Sequence, residues 1–240
     1  MNARWRFWLI TLSTLLAVLS TLALGRWQLS RAAQKLAIQA SIEQQSALQS
    51  MTNQTLLALA DPKTAINRNM TLRGTWLAQY TVFLDNRQMN NKPGMYVVTP
   101  MRLEDSAAVV VVQRGWVARN FLNRSNLPQL ETPAGVVQIQ GRIATVPSKL
   151  YELGGPESGR IRQNLDMPRF SAELGLPLLQ VSVQQRGDAT EGLLREWPPV
   201  STGVETHYGY AFQWFALSAL LTFLYVWFQI VRRFKPSQHA

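Results

Sequence analysis

The sequence predicts an α+β membrane protein in which two transmembrane helices bracket a mainly antiparallel β extracytoplasmic domain. Three observations carry this expectation. No charged residue falls between Arg6 and Arg26, none falls between His207 and Arg232, and the text between these two gaps alternates short Val-, Thr- and aromatic-rich runs with turn residues. The mean hydropathy of −0.06 conceals both gaps, because a polar middle dilutes two apolar ends.

The first span is Phe7 to Gly25, interrupted only by Ser, Thr and Gly. At about 1.5 Å per residue it reaches roughly 28 Å, enough to cross a bilayer. Ala23-Leu24-Gly25 resembles a small-x-small cleavage site behind Arg4 and Arg6, but the apolar stretch exceeds the roughly 7–15 residues of a signal-peptide core, so a retained anchor is expected. From Leu29 to Met51 there is neither Pro nor Gly, and Ala, Gln and Leu favour a helix that continues the span outward. Asp61-Pro62 breaks that pattern.

Strands are expected at Thr71–Trp76, Thr81–Asp85, Tyr96–Leu103, Val109–Gln113, Val136–Ile143 and Leu178–Gln185. In Val137–Ile143 the apolar residues alternate with Gln138, Gln140 and Arg142, which gives one packed and one wet face. Asn90-Asn91-Lys92-Pro93-Gly94, Glu104-Asp105-Ser106 and Gly154-Gly155-Pro156 read as turns. A short helix is expected over Pro168–Leu174, started by Asp166 or Met167 and stopped by Gly175, and Trp197-Pro198-Pro199 stiffens the approach to the second span. That span is Tyr208 to Val231, closed by Arg232, Arg233 and Lys235.

Two spans put both termini on one side, and Arg4, Arg6, Arg232, Arg233 and Lys235 make that side cytoplasmic. The expected organisation is a cytoplasmic tail 1–6, a span 7–25, an extracytoplasmic domain 26–206, a span 208–231 and a second cytoplasmic tail 232–240. In a bacterium the large domain faces the periplasm and the spans lie in the inner membrane. Five tail cations carry half of the net charge of +10. A nucleic-acid partner is therefore not expected, and anionic lipid headgroups or an acidic partner surface suit the remaining charge better.

The chain has no cysteine and only two histidines, His207 and His239. Disulfides, thiolate metal sites, thiol nucleophiles and multi-histidine centres are excluded, and His239 lies across the membrane from His207. The acids, Asp85, Glu104, Asp105, Glu152, Glu157 and Asp166 among them, show no paired spacing for acid–base work, and neither a P-loop nor a dinucleotide fingerprint is present. The chain is not expected to be an enzyme.

Leu24-Gly25-Arg26-Trp27-Gln28-Leu29-Ser30-Arg31 with Lys35, Asp85-Asn86-Arg87, Gly94–Pro100, Val111–Val117, Gln163-Asn164-Leu165-Asp166 and His207–Phe215 follow one another along the chain. In this order they resemble the surfeit locus protein 1 family of membrane-anchored cytochrome c oxidase assembly factors. The resemblance implies maturation of a haem-copper oxidase, with the catalytic subunit and other assembly factors as partners and haem a held transiently. It implies His207 as axial ligand, a metal ligand only through the haem iron, flanked here by Thr206 and Tyr208.

A haem also needs an apolar slot and cations near its propionates. Ala211 and Trp214 share the helical face of His207, and Gly209 offers close backbone approach. Trp27, Arg31 and Lys35 mark the mouth of the first span, either meeting headgroups together or with Trp27 facing Trp214 to close the slot. Ser13, Ala17 and Thr21 in one span, and Ser218 and Thr222 in the other, are small residues at i, i+4 that suit close helix packing. Arg87 and Arg114 stand at strand ends next to turn or glycine text, where each is either an ordinary surface or structural arginine or a fork that grips a propionate, a phosphate or an acidic partner, while Trp116 belongs to the core. A scaffold that stabilises an oxidase subunit without haem, and an extracytoplasmic sensor, are the rival readings.

Overall fold

The computed structural model describes residues 3–120, 127–147, 149–151, 159–198 and 203–232. Gly154-Gly155-Pro156, Glu152, Glu157, Pro199, Arg233, Lys235 and His239 lie outside the described residues. The elements run α1 (Ala3–Ala47), α2 (Asn53–Leu57), β1 (Asn69–Trp76), β2 (Val82–Met89), β3 (Lys92–Leu103), β4 (Val109–Ala118), β5 (Val136–Ala144), β6 (Ile161–Arg162), α3 (Met167–Leu174), β7 (Leu178–Gln185) and α4 (Val204–Tyr225), which continues through a π-helical stretch to Val231. They form two units, one comprising 1–41 and 200–240, the other 42–199.

The α1 helix, which lies in the first unit up to Ser41, is unbroken for 45 residues, about 68 Å at 1.5 Å per residue. The apolar span and the Ala/Gln/Leu segment are one helix, as their shared lack of breakers requires, though it stops at Ala47 rather than Met51. The α4 helix begins at Val204, four residues before the uncharged run, after Gly203 in a left-handed conformation (φ 55°). Both helices are long and apolar enough to cross a membrane. Only 6% of each apolar window is buried within the protein, so neither serves as the core helix of a soluble fold.

The second unit is a mixed sheet of order β1-β5-β7-β4-β3-β2-β6, with a further pairing of β1 to β3. That pairing closes β1, β5, β7, β4 and β3 into a small Greek-key ring of the kind that includes OB barrels. Five pairings are antiparallel, and β4–β7 and β2–β6 are parallel. At the closing seam Gly74 lies opposite Leu103, where a Cβ would fall 2.2 Å from the Arg102 carbonyl oxygen. Glycine is what lets the two backbones meet there.

Every ring strand sends side chains inward: Met70 and Leu72, Met101, Val110 and Val112, Ile143, and Val183 pack with Leu56 of α2. The outward side chains Leu84, Val98 and Val111 are covered by Phe170 and Leu174 of α3. Val109 to Val112 is therefore buried on both faces, which explains why β4 reads as a continuous apolar run rather than an alternating one. In β5 the alternation holds, with Ile139, Gly141 and Ile143 buried and Gln138 and Gln140 exposed.

One turn expectation and one strand end shift. In Asn90–Gly94 only Asn90 and Asn91 make the turn, both at positive φ (51° and 59°), as a two-residue hairpin demands. Lys92, Pro93 and Gly94 already belong to β3. Strand β2 continues beyond Asp85 through a bulge at Asn86 (φ 58°), whose backbone N–H donates to Asp85 Oδ1.

The α3 helix matches its expected signals: Asp166 caps the N-terminus by accepting from the Arg169 N–H, and Gly175 ends it at φ 65°. That backbone hydrogen bond, with the salt bridge from Lys149, holds the Asp166 carboxyl below its ordinary value. A depressed folded-state pKa contributes stability above the unfolded-state value near 4, and this is lost as pH falls through the folded value. Asp166→Asn, which keeps a capping oxygen but cannot titrate, is expected to flatten the acid limb of the stability–pH curve measured by urea unfolding. An unchanged acid limb would count against the cap as its source.

Candidate functional site

In the first unit, buried and half-buried residues of α1 follow one another at alternating steps of three and four: Phe7, Thr11, Thr14, Val18 with Ala17 beside it, Thr21, Gly25, Gln28, Ala32 and Lys35. Those of α4 do the same: Val204, His207, Ala211, Trp214 with Phe215 beside it, Ser218, Leu221 and Tyr225. A mean step of 3.5 is the signature of a left-handed helix pair, and here it runs between antiparallel neighbours. The i, i+4 stripe expected from the small residues drifts off this seam. Thr21 and Ser218 are buried in it, but Ser13 and Thr222 are exposed, because repeated steps of four rotate about 40° too far each time.

Three contacts fix the pair at three depths. Near the N-terminus of α1 the Thr11 hydroxyl and the Tyr225 hydroxyl are 2.9 Å apart. At Gly25 an added Cβ would lie 2.7 Å from the Phe215 ring, so the ring occupies the space glycine leaves. One turn further, His207 Nδ1 lies 2.6 Å from Gln28 Oε1.

The expected site residues sort as follows. His207 is half-buried on the seam with Ala211 and Trp214 on its face, as helical spacing predicts. Tyr208 is 47% exposed and Trp27 50% exposed. Trp27 does not close a slot against Trp214; its ring lies under the Arg31 guanidinium at 5.5 Å, off the seam, and Arg31 is also held by Gln34. The reason is angular: at Trp27 the seam positions are Gly25 and Gln28, which turn the indole outward. Gly209 is not a point of close approach, since a Cβ there meets nothing within 4 Å; Gly25 plays that part. Lys35 reaches the start of α4, its Nζ 3.6 Å from the Cβ position of Gly203.

Arg87 and Arg114 lie in the second unit, inside it rather than at its surface. The Arg114 side chain is fully buried: Nη1 donates to Thr132 Oγ1 (2.8 Å), Nη2 to the Glu131 carbonyl (3.0 Å) and to Glu191 Oε2 (2.7 Å), and the guanidinium sits 4.7 Å from the Trp76 ring centroid. Its Nε has no hydrogen-bond partner but is buried, so no edge of it is open to a propionate. Arg87 is 5% exposed, donates to the Gln163 carbonyl (3.0 Å) and lies over Tyr96. Burial lowers the Arg87 pKa from arginine's ordinary value and raises that of Tyr96. Trp116 is a core residue as expected, its Nε1–H donating to the Arg87 carbonyl. Local text places both arginines at strand ends, but the segments carrying Glu131, Glu191 and Gln163 close over them from distant parts of the chain.

The motifs thus divide. Those of the β unit are architectural: Asn164 clamps Leu150 through two hydrogen bonds, Asp166 caps α3, and Arg87 and Arg114 tie segments inward. Those of the helical pair meet residue for residue, with Gly25 against Phe215 and Gln28 against His207. The SURF1 family model matches residues 15–219, which takes in the Gly25–Phe215 and Gln28–His207 contacts and the whole β unit. The chain belongs to the SURF1 family. It is 24% identical over 226 residues to a SURF1-like protein of Rickettsia bellii (strain RML369-C), covering 89% of this chain and 88% of that one. Membership accords with a role in cytochrome oxidase assembly, and with the two candidate spans it describes a membrane-anchored protein.

The donor set at the mouth of the pair suits a haem. It offers one imidazole, exposed aromatic surface from Trp27 and Tyr208, and the cations Arg31 and Lys35 one and two turns beyond Gln28. Gln28 joins this set although the sequence reading singles it out only as one letter of a motif. The 3–4 spacing of Thr14, Val18, Thr21, Gly25 and Gln28 is the signal that marks it as a seam residue.

Proposed function

We propose that this SURF1-family protein is a non-catalytic assembly factor of a haem-copper cytochrome c oxidase, holding haem a at His207 and releasing it to the catalytic subunit. The reading rests on one observation: the family's two terminal motifs converge, so that the seam histidine stands half-buried at the outer end of an apolar helix pair. At that depth a porphyrin keeps its body in lipid and its propionates at the water boundary, where Arg31 and Lys35 supply charge. The iron, when present, supplies the bond to the imidazole; the chain orients that imidazole and offers the apolar and cationic surroundings.

Both termini are proposed to be cytoplasmic and the β unit periplasmic, on the strength of Arg4, Arg6, Arg232, Arg233 and Lys235. With Arg87 and Arg114 turned inward, the β unit is assigned to docking on oxidase subunits rather than to gripping haem.

The test is to purify the full chain and His207→Ala from cells that make haem a. The wild type is expected to carry haem absorbance and the variant to lose most of it. Equal haem in both removes His207 as ligand. Absence of haem from both, with undiminished co-purification of the oxidase, favours a scaffold that works without haem.

A further inference from the structure

We propose that Gln28 is a positioning residue for His207, its side-chain carbonyl accepting the Nδ1 proton so that the imidazole is held in one tautomer with the Nε2 lone pair turned to the ligand. The inference rests on the haem-holding reading above and names the group that makes it work.

A neutral imidazole carries its proton on one nitrogen and offers a lone pair at the other, and the partner of the first nitrogen decides which is which. The Gln28 Oε1 atom, 2.6 Å from Nδ1, is such a partner. Gln28 is 9% exposed, and its seam neighbours Gly25 and Ala32 are small and buried, so α1 lies close to α4 on both sides of it. The amide is therefore placed by packing and not by the histidine alone. Metal-bound histidines commonly donate their second N–H to a carbonyl or carboxylate, and loss of that partner costs about 10–100-fold in metal affinity.

The chemistry of an amide suits a carrier. A carboxylate at this place raises the basicity of the imidazole and strengthens its bond to a metal. A neutral carbonyl fixes the tautomer without that added donation, leaving a ligand that lets go.

The experiment uses full-length protein in lipid nanodiscs, 15N-labelled at histidine, with His239→Ala so that His207 is the only imidazole. At alkaline pH, without haem, the 15N shifts are expected to report Nδ1–H in the parent and a change toward Nε2–H in Gln28→Leu. Gln28→Glu, which keeps an oxygen acceptor in place, is expected to retain Nδ1–H and so covers the case in which leucine disturbs the seam. Titration with ferric haem is then expected to show affinity about 10–100-fold weaker for Gln28→Leu and slower release from Gln28→Glu.

A parent that carries Nε2–H, or a tautomer indifferent to Gln28→Leu, overturns the proposal while haem binding by the parent leaves the carrier reading intact. The opposite pattern, Nδ1–H fixed by Gln28 in a parent that binds no haem, upholds the orienting contact and overturns the carrier reading.

Discussion

Arg114→Met is expected to destabilise the β unit by about 3–5 kcal/mol, read as a lower urea midpoint in Trp fluorescence of the full chain. The figure follows from what the substitution leaves behind. The Arg114 side chain is fully buried, bonded to Thr132, to the Glu131 carbonyl and to Glu191, and set against Trp76. Methionine fills much of the volume but strands the Glu131 carbonyl and the Glu191 carboxylate. Glu191 keeps a second cation, Arg195, 3.5 Å away and itself 4% exposed, so the carboxylate is not wholly abandoned.

The reverse truncation, Glu191→Gln, leaves two buried guanidiniums facing each other without their shared anion. The two single losses are therefore expected to sum to more than the double variant loses, because the double variant strands no carboxylate and leaves one buried guanidinium, Arg195, without its anion instead of two. A loss below about 1 kcal/mol for Arg114→Met would show that the charge cluster is peripheral to the fold.

Gly25→Leu is the second large effect, and it acts on the helix pair. A Cβ at Gly25 falls 2.7 and 2.8 Å from two atoms of the Phe215 ring, and a leucine adds three further carbons in the same direction. Helix pairs settle 8–10 Å apart according to the side chains between them, so an outward shift of roughly 2 Å is expected. The absence of cysteine makes this measurable without background. Spin labels on cysteines placed at the exposed Ser13 and Thr222 are expected to move apart, with Gln28 drawn out of hydrogen-bonding reach of His207 and haem retention falling as in His207→Ala. Phe215→Ala is expected to restore the distance in the Gly25→Leu background. An unchanged distance would mean that the ring swings into lipid and that the close approach is not what sets the spacing.

The parts legible in the sequence are those governed by local rules. Strand β7 and the helix α3 with both caps are readable because alternation, Asp166 and Gly175 act within a few residues. The extension of β2 past Asp85 is hidden because Asn86 at positive φ looks like a turn and is a bulge. The five-residue α2 and the two-residue β6 are too short to carry a period. Closure of the ring by β1 and β3 depends on residues about 25–30 apart finding register, which no local pattern encodes.

At the site, His207 and the shared face of Ala211 and Trp214 are legible from helical spacing. The partnership with Gln28 is not, because it joins residues 179 positions apart and depends on the seam stepping by 3.5 rather than 4. Trp27 and Gly209 mislead for the same reason: a face drawn at i+4 on one helix says nothing of which face the other helix presents.

The three contacts along the helix pair have a mechanical consequence. Sliding one helix past the other by a single turn, about 5.4 Å, would part Thr11 from Tyr225, drive Phe215 away from the glycine that admits it, and separate Gln28 from His207 at once. A pair pinned at Thr11 and, 14 and 17 residues further along α1, at Gly25 and Gln28 resists acting as a piston, so it is poorly built to carry a message from one face of a membrane to the other. It is built as a strut, which suits the carrier role proposed above.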